Sequence, residues 1–217
     1  MTTSTSNNAS MLFPNELRVE LVEGALQIAR IGLVPLTQGN LTLRDPKSGL
    51  IAVTPHDYSY EQMTPDDVVV VDLDGNVVEG WREPSAEVQV HLAVYERRPQ
   101  VMGIVHAEPV YTNAFGVVNK PIAPVHVGMA IDVGGAVPVM PFESSGSRTF
   151  GYHMLDYMGD KNAVIWANHG MLAVGDTLKK AIHCTVMVEM TAKIYFLALQ
   201  MGEPVSISEE TLERLIG

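Results

Sequence analysis

From Asp176 to about Gln200 the chain reads as one helix of roughly 25 residues, apolar around much of its circumference. A helix of that kind has to be enclosed, so the fold must be built around it. Glu189 and Lys193 interrupt the apolar run, which makes it a core helix and not a membrane span, with Asp176 as the expected N-cap. The chain has 217 residues, 47% of them hydrophobic, enough to close a single large domain over such a helix.

The remaining segments indicate what surrounds it. Residues 1 to about 13 are small and polar and predict a disordered tail, followed by one domain over 14–217. Leu17, Leu21, Ala25, Ile28 and Ala29 recur at helical spacing between Glu16 and Ile31, so a helix is expected there, ending near Gly32. Three extended runs follow, Leu36 to Leu43, Leu50 to Thr54 and Val68 to Asp72, the last before the hairpin signal Asp74-Gly75. Pro84-Ser85 opens a helix on which Val88, Leu92 and Tyr95 share a face. Val101 to Val105 reads as a buried strand, Pro109 to Val118 as a helix, and the Gly/Pro-rich stretch from Pro121 to Gly151 as short extended pieces and turns. Two short strands, Ala163 to Ala167 and Met171 to Val174, flank Asn168-His169-Gly170. The order shows neither an internal repeat nor the regular βα alternation of a doubly wound sheet. It predicts an α/β single-domain layered fold with a largely antiparallel central sheet flanked by helices.

Charge and cysteine content narrow the function. A formal charge of −11, with 14 Lys and Arg against 25 Asp and Glu, leaves no basic surface for a phosphate backbone, so nucleic acid is not an expected partner. Cys184 is the only cysteine, which excludes an internal disulfide and suits a reducing, cytoplasmic compartment. MTTSTSNNAS has no cationic segment before an apolar stretch, so no signal peptide is expected, and no membrane association. No Walker loop, G-x-G-x-x-G or G-x-S-x-G is present; Ser144-Ser145-Gly146-Ser147 is not a nucleophile elbow.

Histidines and carboxylates carry the chemistry that remains. His106 ends the apolar run VMGIV, and His169 sits in a Gly-terminated turn, both places where a scaffold presents ligands. Glu108 lies two residues beyond His106 and, on an extended segment, points the same way, so His106, Glu108 and His169 make a candidate two-His, one-carboxylate metal site. A carboxylate favoured by the dipole of the helix starting near Pro109 is the competing account of Glu108, and from spacing alone the better one. Glu87, in the first turn of its helix with His91 four residues on, is either a dipole-stabilising surface acid or a proton shuttle near a metal. Turn chemistry suffices for Gly39-Asn40, Thr37, Thr54 and Ser85 unless they converge.

In order along the chain, QGNLTLR from Gln38, IAVTP from Ile51, EPSAE from Glu83, HLAVYERRPQVMGIVHAE from His91 and NHGMLAVG from Asn168 resemble the class II aldolase family typified by fuculose-phosphate aldolase and ribulose-phosphate 4-epimerase. The likeness runs from about Leu17 to Gln200. It implies that Gly39, Asn40, Thr54 and Ser85 bind the substrate's phosphate or an equivalent anion, that Glu87 is the acid/base, and that His106 and His169 are metal ligands. One divalent ion per subunit, Zn or Mn, is implied, polarising a hydroxy-keto substrate and stabilising an enediolate. A homotetramer with its site at the subunit interface is implied as well.

This sequence departs from the family pattern in four places. Glu108 replaces the second histidine of V-H-x-H, and Ala86 the second serine of P-S-S-E. His56-Asp57 stand where a small residue and glycine follow T-P, bringing a carboxylate that would repel phosphate. Val127 follows His126 where the aldolases place a proton-donating tyrosine. The expected activity is therefore metal-dependent C–C bond cleavage or formation on a phosphorylated or carboxylate-bearing hydroxy-keto compound. Decarboxylation of a related keto or hydroxy acid and a non-catalytic adducin-like interaction domain are the alternatives.

Overall fold

In the computed structural model, which describes residues 12–216, α1 (Asn15–Arg30) leads into β1 (Gly39–Arg44), β2 (Ile51–Val53), a 3₁₀ turn at Pro65–Asp67, β3 (Val69–Val71) and β4 (Val77–Glu79). Then come α2 (Val88–Arg97), β5 (Gly103–Ala107), α3 (Val110–Val117), α4 (Val127–Val133), β6 (Val139–Met140) and α5 (Arg148–Met158). β7 (Ala163–Trp166), β8 (Gly170–Gly175), α6 (Leu178–Met201) and α7 (Glu209–Ile216) complete the order. All the strands join one sheet in the order β4-β3-β2-β1-β5-β8-β7-β6, and every neighbouring pair is antiparallel except β6 with β7. This is the α/β layered domain with a largely antiparallel sheet that the sequence predicts.

Both faces of the sheet are covered, and the period-2 geometry of a strand sorts its side chains between them. Ile51, Val53, Val69, Val71, Ile104, Leu172 and Val174 point to the face packed by α2 and α5. Ala52, Val70, Val105 and Ala107 point the other way, toward α1 and the first turns of α6, while Ile165, Met171 and Ala173 meet α3, α4 and the middle of α6. Because both sets are buried, the strands read in sequence as continuous apolar runs without alternation. α2 is tied to its face by a buried polar chain: the Thr42 hydroxyl lies 2.9 Å from both His91 Nδ1 and Tyr95 Oη, and Tyr95 donates to the Met102 carbonyl at 3.2 Å.

Several local expectations need correction. β1 begins at Gly39, not Leu36, because Pro35 to Gln38 form a turn in which Leu36 is exposed with φ 56°. The sequence assigns residues 1 to 13 to a disordered tail; residues 1–11 lie outside the described region, but Phe13 is fully buried and the Leu12 N–H donates to Glu79 at 2.6 Å. Thr177, not Asp176, caps α6, its hydroxyl accepting the Lys180 N–H at 3.2 Å. The Gly/Pro-rich stretch from Pro121 contains α4 and leads into α5, and α7 has no counterpart in the sequence reading. α6 is long and apolar enough to cross a membrane by composition alone, yet one face of its first two-thirds is buried against the domain; Ile194, Phe196, Leu197 and Met201 near its end are exposed.

One close approach fixes the central strand. A Cβ on Gly103 would lie 2.4 Å from the Leu178 Cα and 2.6 Å from its N, so α6 rests directly on the backbone of β5. Neither backbone can swing aside as a side-chain end would. Gly103→Ala is expected to cost about 1–3 kcal/mol, the range for overpacking, whereas Gly202→Ala, with open space around it, should change stability by less than about 0.5 kcal/mol. Urea unfolding of the two variants beside the parent measures the difference.

Candidate active site

The register of three central strands sets the site. Asn40 on β1 pairs with His106 on β5, which pairs in turn with Leu172 on β8. Asn40, Thr42, Ile104 and His106 therefore share the face covered by α2. His106 is buried, stacked on Trp166 with ring centroids 4.5 Å apart and an interplanar angle of 14°, and its Nδ1 lies 2.9 Å from the Met171 carbonyl. That bond assigns the proton to Nδ1 and leaves the Nε2 lone pair facing the cleft. His169 follows Asn168, which takes φ 59° in the tight turn joining β7 to β8; the Asn113 amide holds the His169 carbonyl at 3.2 Å.

Glu87 arrives from the other direction. It occupies the N-cap position of α2, one residue before the helix proper, and not its first turn as its spacing predicts. Its carboxylate lies 3.2 Å from His106 Nε2 through Oε2 and 3.5 Å from His169 Nε2 through Oε1. Asn40 donates to Oε2 at 3.0 Å and the Ser145 hydroxyl to Oε1 at 2.7 Å. Ser145 reaches it because its loop is pinned at the start of α5, where Ser147 caps the helix and Arg148 Nε donates to Gln89 on α2 at 2.8 Å.

The electrostatics are consistent with a cation site. Burial alone would raise the Glu87 carboxyl, but His106, Ser145, His169 and Asn40 together hold it below the usual carboxylate range. Burial pushes the His106 imidazole down, against the opposing pull of Glu87, so it stays neutral near pH 7. His91, fully buried one turn along α2, is pushed down to about 3 by burial and by His106. A neutral His106 with its proton on Nδ1 turns a lone pair toward an ionised carboxylate at 3.2 Å. Two acceptors at that distance repel unless a proton or a metal ion lies between them. The ligand atoms of Glu87, His106 and His169 all fall within 4.8 Å of one another, and among the described residues no other group of three His, Cys, Asp or Glu side chains does so. The donor set fits a divalent ion.

Glu108 stands just past the end of β5, with Oε1 3.8 Å from His169 Nε2. Burial raises its carboxyl, and Glu87 adds to that against the opposite pull of His169. A Cβ on Gly170 would meet the Ala107 carbonyl at 2.6 Å, the Glu108 Cγ at 3.0 Å and the His106 Cε1 at 3.0 Å, so only glycine lets both side chains close over the turn. The cluster opens into a cleft of about 740 Å³ that Gly39, Asn40, Ser85, Glu87, Glu108 and His169 border. Two larger grooves, of about 1000 and 1050 Å³, lie away from it and hold no such cluster among the described residues. Thr54 is not brought to the cleft: it is fully buried, and its hydroxyl oxygen accepts the Leu41 N–H at 3.1 Å. Sequence reasoning missed Ser145 as a partner of Glu87 and Trp166 as the platform under His106. Ser147 ahead of the amphipathic segment TFGYHMLDYM was the available signal that a helix starts there and leaves Ser145 in a loop.

Comparison with known proteins agrees with this geometry. The family described as Class II Aldolase and Adducin N-terminal domain matches residues 19–196. A 5-deoxy-D-ribulose 1-phosphate aldolase of Bacillus thuringiensis serovar kurstaki is 32% identical over 94% of this chain and 95% of its own length. An L-fuculose phosphate aldolase of Escherichia coli (strain K12) is 30% identical over 89% and 88%. A solved structure of an L-fuculose 1-phosphate aldolase superposes with a TM-score of 0.91 at 32% identity, covering 96% of this chain and 98% of that one. Fold, cluster and relatives agree: this chain belongs to the class II aldolase family and is an aldolase-type carbon–carbon lyase.

Proposed function

We propose that His106, His169 and Glu108 hold one divalent ion, Zn or Mn, and that Glu87 moves the proton in a retro-aldol or aldol reaction of a small hydroxy-keto compound. The observation that supports this division of labour is the state of the two carboxylates. Both Glu87 oxygens are already bound by fixed donors, Asn40 and Ser145, which hold it beside the metal cluster. Glu108 makes no hydrogen bond among the described residues and is free to turn toward His169. The competing assignment makes Glu87 the third ligand, and its shorter distances to both imidazoles favour that reading.

A bound divalent ion supplies Lewis-acid polarisation of the substrate carbonyl. The chain's own residues do the rest. Trp166 and the Met171 carbonyl orient His106 so that Nε2 points inward. In cleavage Glu87, ionised at rest, takes up the proton that leaves the hydroxyl as the C–C bond breaks and gives it to the carbon left behind; in the reverse direction it takes that carbon-bound proton and returns it to the new hydroxyl. Gly39, Asn40 and Ser85 border the space for the substrate. Decarboxylation would place the same demands on these groups, whereas a non-catalytic adducin-like domain would need neither the neutral His106 nor the buried Glu87. We place the enzyme in the cytoplasm, because its single cysteine is buried and unpaired. We read it as a homotetramer, because Val110, Val127 and Ile131, together with the end of α6, leave apolar side chains exposed.

Two substitutions test the roles. Glu87→Gln should keep the fold and the ion while turnover falls by about 10²–10⁴-fold, the usual contribution of a general acid/base; steady-state rates and metal content measured together show it. Glu108→Ala should weaken metal binding by more than the roughly 10–100-fold that loss of an outer-shell partner costs, and Glu108→His should restore it with a shift toward Zn. Full metal occupancy in Glu108→Ala, with loss in Glu87→Gln, would transfer the ligand role to Glu87.

A further inference from the structure

Glu189 is one of two charges that interrupt the apolar run of α6, and it does not border the cleft. Its half-buried carboxylate reaches the start of α3 instead. Oε1 accepts the Tyr111 N–H at 3.0 Å, and Oε2 accepts both the Thr112 N–H and the Thr112 hydroxyl, each at 2.8 Å. Pro109, at the N-cap of α3, offers those amides no side-chain acceptor. The helix is capped from 77 and 78 positions away. The opening N–H groups of a helix carry partial positive charge and lack partners within it, so a carboxylate is favoured there.

Glu108 immediately precedes Pro109, which makes it the carboxylate nearest in sequence to the same amides. Serving the dipole of α3 is its alternative to ligating a metal. Glu189 already fills that role. Glu108 is left without a hydrogen bond among the described residues, with Oε1 3.8 Å from His169 Nε2. The first turn that Glu189 holds is itself firmly seated: Thr112 is fully buried, and the Asn113 N–H bonds the Pro109 carbonyl at 2.9 Å.

We infer that Glu189 is a positioning residue of the metal site: by capping α3 from α6, it keeps Glu108 from folding back onto the helix end and leaves that carboxylate turned toward His169. The inference rests on Glu108 being a ligand, as proposed above, and assigns the residue that keeps it available. Glu189 acts only through Glu108.

The Zn²⁺ affinity of the full chain, measured by competition with a chelating dye, tests it in a double-mutant cycle. Glu189→Gln keeps the shape but sets an NH₂ group against at least one N–H donor of α3. Glu189→Asp keeps the charge and draws it back from the donors, so a loss common to both variants is not the loss of a distant charge. Thermal melts show which variants are folded, and either one suffices for the cycle. Each should bind Zn²⁺ about 10–100-fold more weakly than the parent, the range for losing an outer-shell partner. Where Glu108 is already alanine, each should change affinity by less than about threefold. Parent-like affinity in either folded variant, or an equal loss in the parent and Glu108→Ala backgrounds, overturns the inference while leaving Glu108 a ligand. Should Glu108→Ala itself bind Zn²⁺ as tightly as the parent, the ligand reading fails and this inference fails with it.

Discussion

A carboxylate held between two imidazoles inside a half-closed cleft is costly to assemble, because each group loses water and the imidazole lone pair faces negative charge. Glu87 occupies that position. Its two oxygens are fixed by Asn40 and Ser145 at 3.0 and 2.7 Å, and His106 and His169 stand at 3.2 and 3.5 Å. The four partners come from β1, the loop before α5, β5 and the β7–β8 turn, so the interaction exists only when the sheet and α2 are assembled in register. The arrangement makes sense as a binding place for a cation, which turns the facing acceptors from a liability into a ligand set.

The rest of the fold keeps those partners in place. β5 is gripped from one side by α6, which rests on Gly103, while on the other face the Thr42, His91 and Tyr95 chain ties α2 to the neighbouring β1. His91 stays uncharged under the site, since burial pushes its imidazole down to about 3. Its folded value lies below the ordinary 6.5, so the unfolded chain binds the extra proton and stability is lost as pH falls from about 6.5 toward 3. The site is thus built on a support that favours neutral pH.

Much of this was legible in the sequence, and the failures have physical causes. The apolar runs around His106 and His169 marked strands because both faces of the sheet are covered, and the motif order identified the family. Thr54 was misplaced at the cleft because the residue type suits an anion site equally well, whereas its neighbour across the sheet, Leu41, claims the hydroxyl. α4 escaped notice because it is seven residues long within a Gly/Pro-rich stretch, and only its Gly134 C-cap, at φ 89°, shows why the glycine is there. Ser145 could not be found by spacing, since 58 residues separate it from Glu87 and the contact is made by the docking of α5 on α2. The end of α6 read as buried, but Phe196 and Leu197 are exposed there, Phe196 with only the Tyr111 ring beside it at 5.9 Å.

On the proposed roles, Glu87 exchanges a carbon-bound proton of a carbonyl compound only when a divalent ion occupies the cluster. Proton exchange at the carbon next to the carbonyl of dihydroxyacetone, followed by NMR in D₂O with no aldehyde partner, tests that step alone. Metal-loaded protein should catalyse the exchange, a chelator should stop it, and returning Zn or Mn should restore it. Exchange that continues at the same rate in protein shown to be metal-free would rule out a metal-dependent proton transfer at Glu87.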